Sequence, residues 1–428
     1  MKKLFLILLS TFLFTACFTQ SNAQQQKTLP EVSATTVGIS QDRLARIDIL
    51  LTNAIQDNKI PGAVALIARH GKIVYYKAFG MANNKSEESL KLDYIFRIAS
   101  QSKAITSTAV MMLWEEGKFS LDEPISKYIP EFGTPQLLES FNEADSSYTT
   151  KPADKQITIR NLLTHTSGIG YGQIDGDAQF RKIYAKAGIV DLFTTENVKI
   201  ADNIKKLASL PLHHNPGEKF TYSEGLDVLG YFIEVVSGMP FDVFLKTRIF
   251  DPLGMNDTQF YLPETKYNRL VTVQTKENDK WVKYPVTFYD TDYPKTGAKQ
   301  FFSGGAGLTS TAKDYAAFLQ MYLNQGELNG IRLLSRTTVE TILTNQIPYI
   351  SNDIPAVHGL AFGLVDTKKH DLGGSGSEGT FEWGGYFNTQ YFADPKEGIL
   401  GILLKQTQKV NDDTGGKFRL LVNAAIAD

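Results

Sequence analysis

Apolar positions along this chain follow two periods, and the order in which they alternate sketches an architecture. From Gln41 the residues Leu44, Ile47, Leu50, Leu51 and Ile55 form a helical stripe. Two β-rich runs follow, 62–68 and 72–79, joined by Arg69-His70-Gly71, a hairpin signal. A helix is predicted over about 100–116, ending near Gly117. Residues 120–295 mix helical stretches, such as 204–210 and 226–236, with long loops. Residues 315–323 are again amphipathic. Near the end, apolar runs at 389–393 and 399–404 flank the turn Asp394-Pro395-Lys396-Glu397-Gly398, and 418–426 reads as a closing helix. No repeat at a solenoid or propeller period is visible.

Strands therefore lie near both ends of the sequence, with helices and loops between. Pairing the terminal strands gives one antiparallel sheet covered by the first and last helices. The expected class is α/β in the α+β sense: a sheet lobe from about 40–115 and 300–428, and a mostly helical lobe from about 116–299. A cleft between lobes is where a site is expected. Residues 24–39 are polar without periodicity and read as a tether.

Composition narrows the function classes. A net charge of −2 over 428 residues provides no basic field for nucleic acid or an anionic membrane surface. Beyond the first residues there is no apolar run long enough for a transmembrane helix. The start differs: Lys2 and Lys3 precede the short apolar run 4–14, the layout of a secretory signal. Two cleavage sites compete. Ser21-Asn22-Ala23 suits ordinary secretion with residues 1–23 removed, whereas Phe14-Thr15-Ala16-Cys17 resembles a lipobox that would place a lipid anchor on Cys17. The expected location is the periplasm or a membrane-anchored lipoprotein. Cys17 is the sole cysteine, so a thiol nucleophile, a CxxC pair and a Cys-ligated zinc in the body are excluded by count. The histidines at 70, 165, 213, 214, 358 and 370 show no HExxH or HxH spacing, and neither a metal nor a cofactor is expected.

Candidate chemistry centres on Arg97-Ile98-Ala99-Ser100-Gln101-Ser102-Lys103, at the opening of the predicted helix. At i and i+3, Ser100 and Lys103 share one helix face. A serine hydroxyl needs an adjacent base to become nucleophilic. A lysine serves only where burial or a nearby cation favours its neutral form, and the residues around Lys103 are apolar. A second S-x-x-K, Ser310-Thr311-Ala312-Lys313, reads instead as a helix cap, with Asp314 in the first turn.

With these residues, Ser120-Leu121-Asp122-Glu123-Pro124-Ile125, Tyr128-Ile129-Pro130, the segment Ile157-Thr158-Ile159-Arg160-Asn161-Leu162-Leu163-Thr164-His165-Thr166-Ser167-Gly168 and Gly304-Gly305-Ala306-Gly307-Leu308, the sequence resembles the serine β-lactamase and penicillin-binding-protein superfamily. Its similarity runs to class C β-lactamases and family VIII carboxylesterases, over nearly all of 40–428. In that pattern His165 is structural. The family's Tyr-x-Asn has literal matches at Tyr322-Leu323-Asn324 and Tyr386-Phe387-Asn388, but context points to Tyr222 within Pro216-Gly217-Glu218-Lys219-Phe220-Thr221-Tyr222-Ser223-Glu224. The resemblance implies that Tyr222, with Lys103, takes the Ser100 proton and returns it to the leaving group. The family's late Lys-Thr-Gly has a decoy at Lys295-Thr296-Gly297; its slot holds Trp383-Gly384-Gly385-Tyr386, as in the esterase branch. The Ser100 and Tyr386 backbone N–H groups would then form the oxyanion hole, at about 3–4 kcal/mol per donor.

Two departures bear on the small-molecule substrate. Glu224 stands where an Asn would hydrogen-bond an acyl amide, and its charge would repel a β-lactam carboxylate. Trp383 replaces a carboxylate-holding lysine and, with Gly384 and Gly385, offers a wall suited to apolar acyl or alcohol groups. The expectation is ester hydrolysis through acyl-Ser100. The rivals are a β-lactamase or D-amino-acid peptidase at the same site, and a noncatalytic binding or sensor protein of the same fold. The absence of a Gly-x-Ser-x-Gly elbow disfavours an α/β-hydrolase. Oligomeric state is not readable from the sequence.

Overall fold

The run at 62–69 is apolar at almost every position, as a strand covered on both faces requires. In the structure, a computed structural model describing residues 29–84, 88–350, 357–366, 374 and 376–428, all eight residues of β1 (Gly62–Arg69) are buried. Its neighbours are β2 (Lys72–Gly80), next in sequence, and β6 (Ile399–Leu404), from the far end. With β3 (Gly363–Leu364), β4 (Phe381–Gly385) and β5 (Thr389–Asp394) they form a six-stranded antiparallel sheet in the order β3-β4-β5-β6-β1-β2. The register pairs Val64 with Leu404 and Arg69 with Ile399.

The period-2 alternation divides the sheet's faces. Ala63, Ala65 and Ile67 pack with Leu44, Ile47 and Leu51 of α1 (Gln41–Gln56) and with Phe418 and Val422 of α5 (Thr414–Ala424). Val64, Leu66 and Ala68 face the larger core, which includes α2 (Ser102–Glu115), α3 (Gly225–Ser237) and α4 (Ala312–Leu323). The first and last helices thus share one face, as the pattern predicts.

Two expectations need adjustment. Residues 29–39 are not a tether: Leu29, Ala34, Val37 and Ile39 are buried, and Val32 N–H donates to Ile73 O at 2.9 Å. Their sparse apolar residues are spaced for docking rather than for a helix or strand period. The closing helix starts at Thr414 rather than 418, with Gly415 and Gly416 in its first turn. Residues 1–28, with both cleavage sites and Cys17, lie outside the described residues, as does His370. Among the described residues, no single helix is long and apolar enough to cross a membrane.

Arg69, 4% exposed at the end of β1, ties residues 37–38 to the C-terminal segment. Its guanidinium donates to Val37 O (3.0 Å), Gly38 O (3.1 Å), Glu397 O (3.1 Å) and the Asp428 carboxylate (2.8 Å).

Candidate active site

The segment before α2 is held rigidly before the helix begins. Arg97, 1% exposed, donates to Val271 O at 2.6 Å, and the Gln406 amide brackets its backbone at 3.1 and 3.0 Å. Ile98 N–H donates to Leu308 O, and Leu308 N–H to Ser102 Oγ, both at 3.1 Å. Between these anchors Ala99 takes a φ of 44°, in the left-handed region unfavourable to a residue with a Cβ. Ser100 follows in a single 3₁₀ turn, Ala99–Gln101, that feeds α2. Its N–H belongs to the first helical turn and has no carbonyl a turn earlier to satisfy it.

Three side chains converge here. Tyr222 Oη donates to Ser100 Oγ at 2.7 Å, and Lys103 Nζ lies 3.4 Å from the same oxygen. Lys103 is 3% exposed; its Nζ also donates to Gly305 O at 2.8 Å and Tyr171 Oη at 3.1 Å. It sits 4.7 Å from the Tyr222 ring centroid and 5.0 Å from that of Tyr171, within cation–π range. The two tyrosine rings stack at 5.3 Å. Burial raises the Tyr171 hydroxyl well above the ordinary tyrosine range, with nearby Tyr222, Asp227 and Glu224 adding to it, so Tyr171 remains a neutral phenol.

His165 supports Tyr222 from below. His165 O accepts Thr221 N–H at 2.8 Å, and its Nδ1 lies 3.1 Å from Ser223 Oγ. Burial, with His358 and Lys103 nearby, lowers the imidazole well below its usual range and keeps it neutral.

Strand β4 closes the site. A Cβ at Gly385 would stand 2.5 Å from Ile98 O and 2.2 Å from Thr389 Oγ1, so only glycine allows the strand to lie against the Ser100 turn. The next residue is Tyr386. The Trp383 ring lies 6.0 Å from Tyr222 and meets His358 edge-on at 5.4 Å.

A profile of the β-lactamase family matches residues 47–426. The chain belongs to the β-lactamase family. Esterase EstB of Burkholderia gladioli is 30% identical over 380 residues, covering 85% of this chain and 90% of that protein. Lovastatin esterase of Penicillium rubens is 29% identical over 379 residues, covering 83% and 91%. Among solved structures, EstCE1, described as a hydrolase with promiscuous acyltransferase activity, aligns with a TM-score of 0.75 at 26% identity over 91% of this chain and 99% of that one.

In this β-lactamase-family site one expectation is overturned. Glu224 is 1% exposed and does not face the cleft as a substrate contact. It precedes α3, pointing inward, with Oε1 lacking a hydrogen-bond partner. Burial raises its carboxyl well above the usual range; Asp191 and Asp227 reinforce this, and Lys103 opposes it. Burial therefore favours the uncharged acid, and the carboxyl stands in the interior rather than against a substrate carboxylate. Two contacts escaped the sequence reading. Tyr171, just beyond the Thr-Ser-Gly motif, touches Lys103 through its hydroxyl; Gly305, read as scaffold, does so through its carbonyl. The glycine cluster at 304–307 was the available signal for the second.

The site is backed by an aromatic core. Ala99, Tyr171, Phe193, Tyr289 and Phe387 share one buried cluster, with the half-buried Tyr222 and Tyr386 packed against it. Phe288, 44% exposed, meets Tyr289 edge-on at the rim.

Proposed function

We propose that this protein hydrolyses carboxylic esters through an acyl-enzyme on Ser100. The observation that carries this reading is the convergence of Tyr222 Oη (2.7 Å) and Lys103 Nζ (3.4 Å) on Ser100 Oγ. Ser100 Oγ attacks the ester carbonyl while the Lys103–Tyr222 pair accepts its proton. The Ser100 and Tyr386 N–H groups receive the oxyanion. Collapse expels the alkoxide, which takes the proton from Tyr222, and leaves acyl-Ser100. Water then attacks by the same route, returning the proton to Ser100 and releasing the acid. The esterase names borne by two relatives support the ester over the amide. So does Trp383, half-buried beside Tyr222, which offers apolar surface in place of a cationic grip on a carboxylate.

The test is a purified-protein screen of short and long p-nitrophenyl esters alongside nitrocefin and D-Ala-D-Ala peptides. kcat/KM for a short neutral aryl ester should exceed that for nitrocefin at least about 100-fold, or about 2.7 kcal/mol in transition-state binding. Preference for nitrocefin or the peptide would leave the amide-cleaving reading in its place. Export belongs to the same proposal and rests on the basic-then-apolar leader of residues 2–14. Palmitate labelling of wild type but not of Cys17→Ser would assign lipidation; a mature N-terminus at Gln24 would assign ordinary secretion.

A further inference from the structure

The turn carrying Tyr386 is gripped from outside the cleft by a charge pair fully shielded from solvent. Residues 386–388 join β4 to β5 across the Gly385–Thr389 pair. Asn388 N–H donates to Gly385 O at 2.9 Å, and Asn388 has a φ of 66°, the left-handed position that ends many three-residue hairpin loops. The Asn388 side-chain amide donates to Asp412 Oδ2 at 2.6 Å and to Thr407 Oγ1 at 2.9 Å. The other Asp412 oxygen accepts Lys405 Nζ at 2.7 Å, Thr414 N–H at 3.1 Å and the Thr414 hydroxyl. Both charged side chains are 0% exposed. Thr407 N–H donates to Phe387 O, and the Gln408 amide to Tyr386 O, each at 3.1 Å.

Withdrawing two charges from water is costly, and a buried pair is a poor source of stability compared with apolar residues of the same volume. What the pair supplies, and apolar residues do not, is direction. Lys405 and Thr414 fix the Asp412 carboxylate, and its free oxygen is aimed at the Asn388 amide. That amide in turn fixes the last residue of a loop whose first residue is Tyr386.

We propose that Asp412, clamped by Lys405, is a positioning residue for acyl transfer, setting the Tyr386 N–H through Asn388. This rests on the reading of Tyr386 as the second oxyanion donor, and the test separates the two. The full-length protein is assayed for kcat and KM on p-nitrophenyl butyrate, and for affinity toward an aryl trifluoromethyl ketone, whose adduct places an alkoxide in the hole. Tyr386→Pro deletes the N–H at the second turn position, where proline is tolerated, and Tyr386→Ala controls for the ring. Asn388→Gly keeps the left-handed backbone without the amide, and Asp412→Ala removes the anchor.

Tyr386→Pro should lose at least about 100-fold in kcat relative to Tyr386→Ala. Asn388→Gly and Asp412→Ala should each lose about 10–100-fold in kcat with KM within about 3-fold, and weaken the ketone by the same factor. Their double variant should be no worse than the worse single one, because both break one chain of contacts. If Asp412→Ala does not fold, Asn388→Gly alone carries the comparison. Should Tyr386→Pro match Tyr386→Ala, the oxyanion reading fails and this inference with it. A crippled Tyr386→Pro beside an Asn388→Gly variant with wild-type kcat would overturn the positioning role alone. So would losses that multiply in the double variant.

Discussion

At Ser100 the geometry makes a labelling prediction. A fluorophosphonate probe should modify wild type and Ser310→Ala equally and leave Ser100→Ala untouched, since Ser310 is buried against Thr258 at 2.8 Å. Labelling lost at Ser310 would reverse the assignment. Lys103 and Tyr222 contact the same oxygen, so Lys103→Ala and Tyr222→Phe should cost about as much singly as together. Effects on kcat that multiply in the double variant would refute a shared role. Glu224 yields a pH-dependent outcome. Its folded carboxyl titrates above the unfolded value of 4.5, so the folded state keeps a proton that the unfolded chain releases. Stability supplied by that proton is complete below pH 4.5 and lost as pH rises toward the folded value. Glu224→Gln abolishes the loss: its Tm relative to wild type should be higher at pH 8 than at pH 5, with the ester-to-nitrocefin ratio unchanged. A Tm gap independent of pH would show that the acid is not held neutral. Sequence reading reached the Ser100, Lys103 and Tyr222 cluster because helix spacing and motif context locate side chains along a chain. It misplaced Glu224 because two residues of loop do not reveal which way a side chain points.

Among elements, β4 is the most exacting. Gly384 and Gly385 look equivalent in sequence and were both read as substrate contacts. In the structure a Cβ at Gly384 meets only Thr389 O at 3.4 Å, an ordinary contact, whereas one at Gly385 collides with the Ile98 carbonyl at 2.5 Å. Gly385→Ala should therefore push the strand off the Ser100 turn and lower kcat/KM at least about 100-fold, the scale of a lost oxyanion donor. Gly384→Ala should stay within about 10-fold. Equal tolerance of both, measured on one aryl ester, would mean that the strand does not have to approach so closely. The strands at 62–69, 389–394 and 399–404 were legible because burial on both faces leaves apolar runs between clear turns, and the strand at 72–80 because Ile73 and Tyr75 alternate with exposed or half-buried neighbours. The start of α5 was not, because Gly415 and Gly416 contradict helix propensity and tertiary packing overrides it. Residues 29–39 were missed because docking through a few apolar side chains imposes no period.

Across the whole molecule, residues 37–38 and the C-terminal Asp428 meet at Arg69, a contact that supports the fold and lies outside the Ser100 site. Arg69→Met should lower Tm while kcat/KM of the folded enzyme is unchanged; an unaltered Tm would show that the five acceptors around the guanidinium, the Glu397 carboxylate among them, are satisfied without it. The pairing of β1 with β6 also sets a schedule. Arg69 and Ile399 are partners 330 positions apart. At a synthesis rate of about 5–20 residues per second, one edge of β1 stays open for roughly 15–65 s after it leaves the ribosome. During that interval an eight-residue apolar strand presents unpaired N–H and C=O groups to every neighbouring nascent chain. Such a polypeptide cannot complete its central sheet until almost its last residues are made. The sheet, and with it the core on both of its faces, closes only when that final strand arrives.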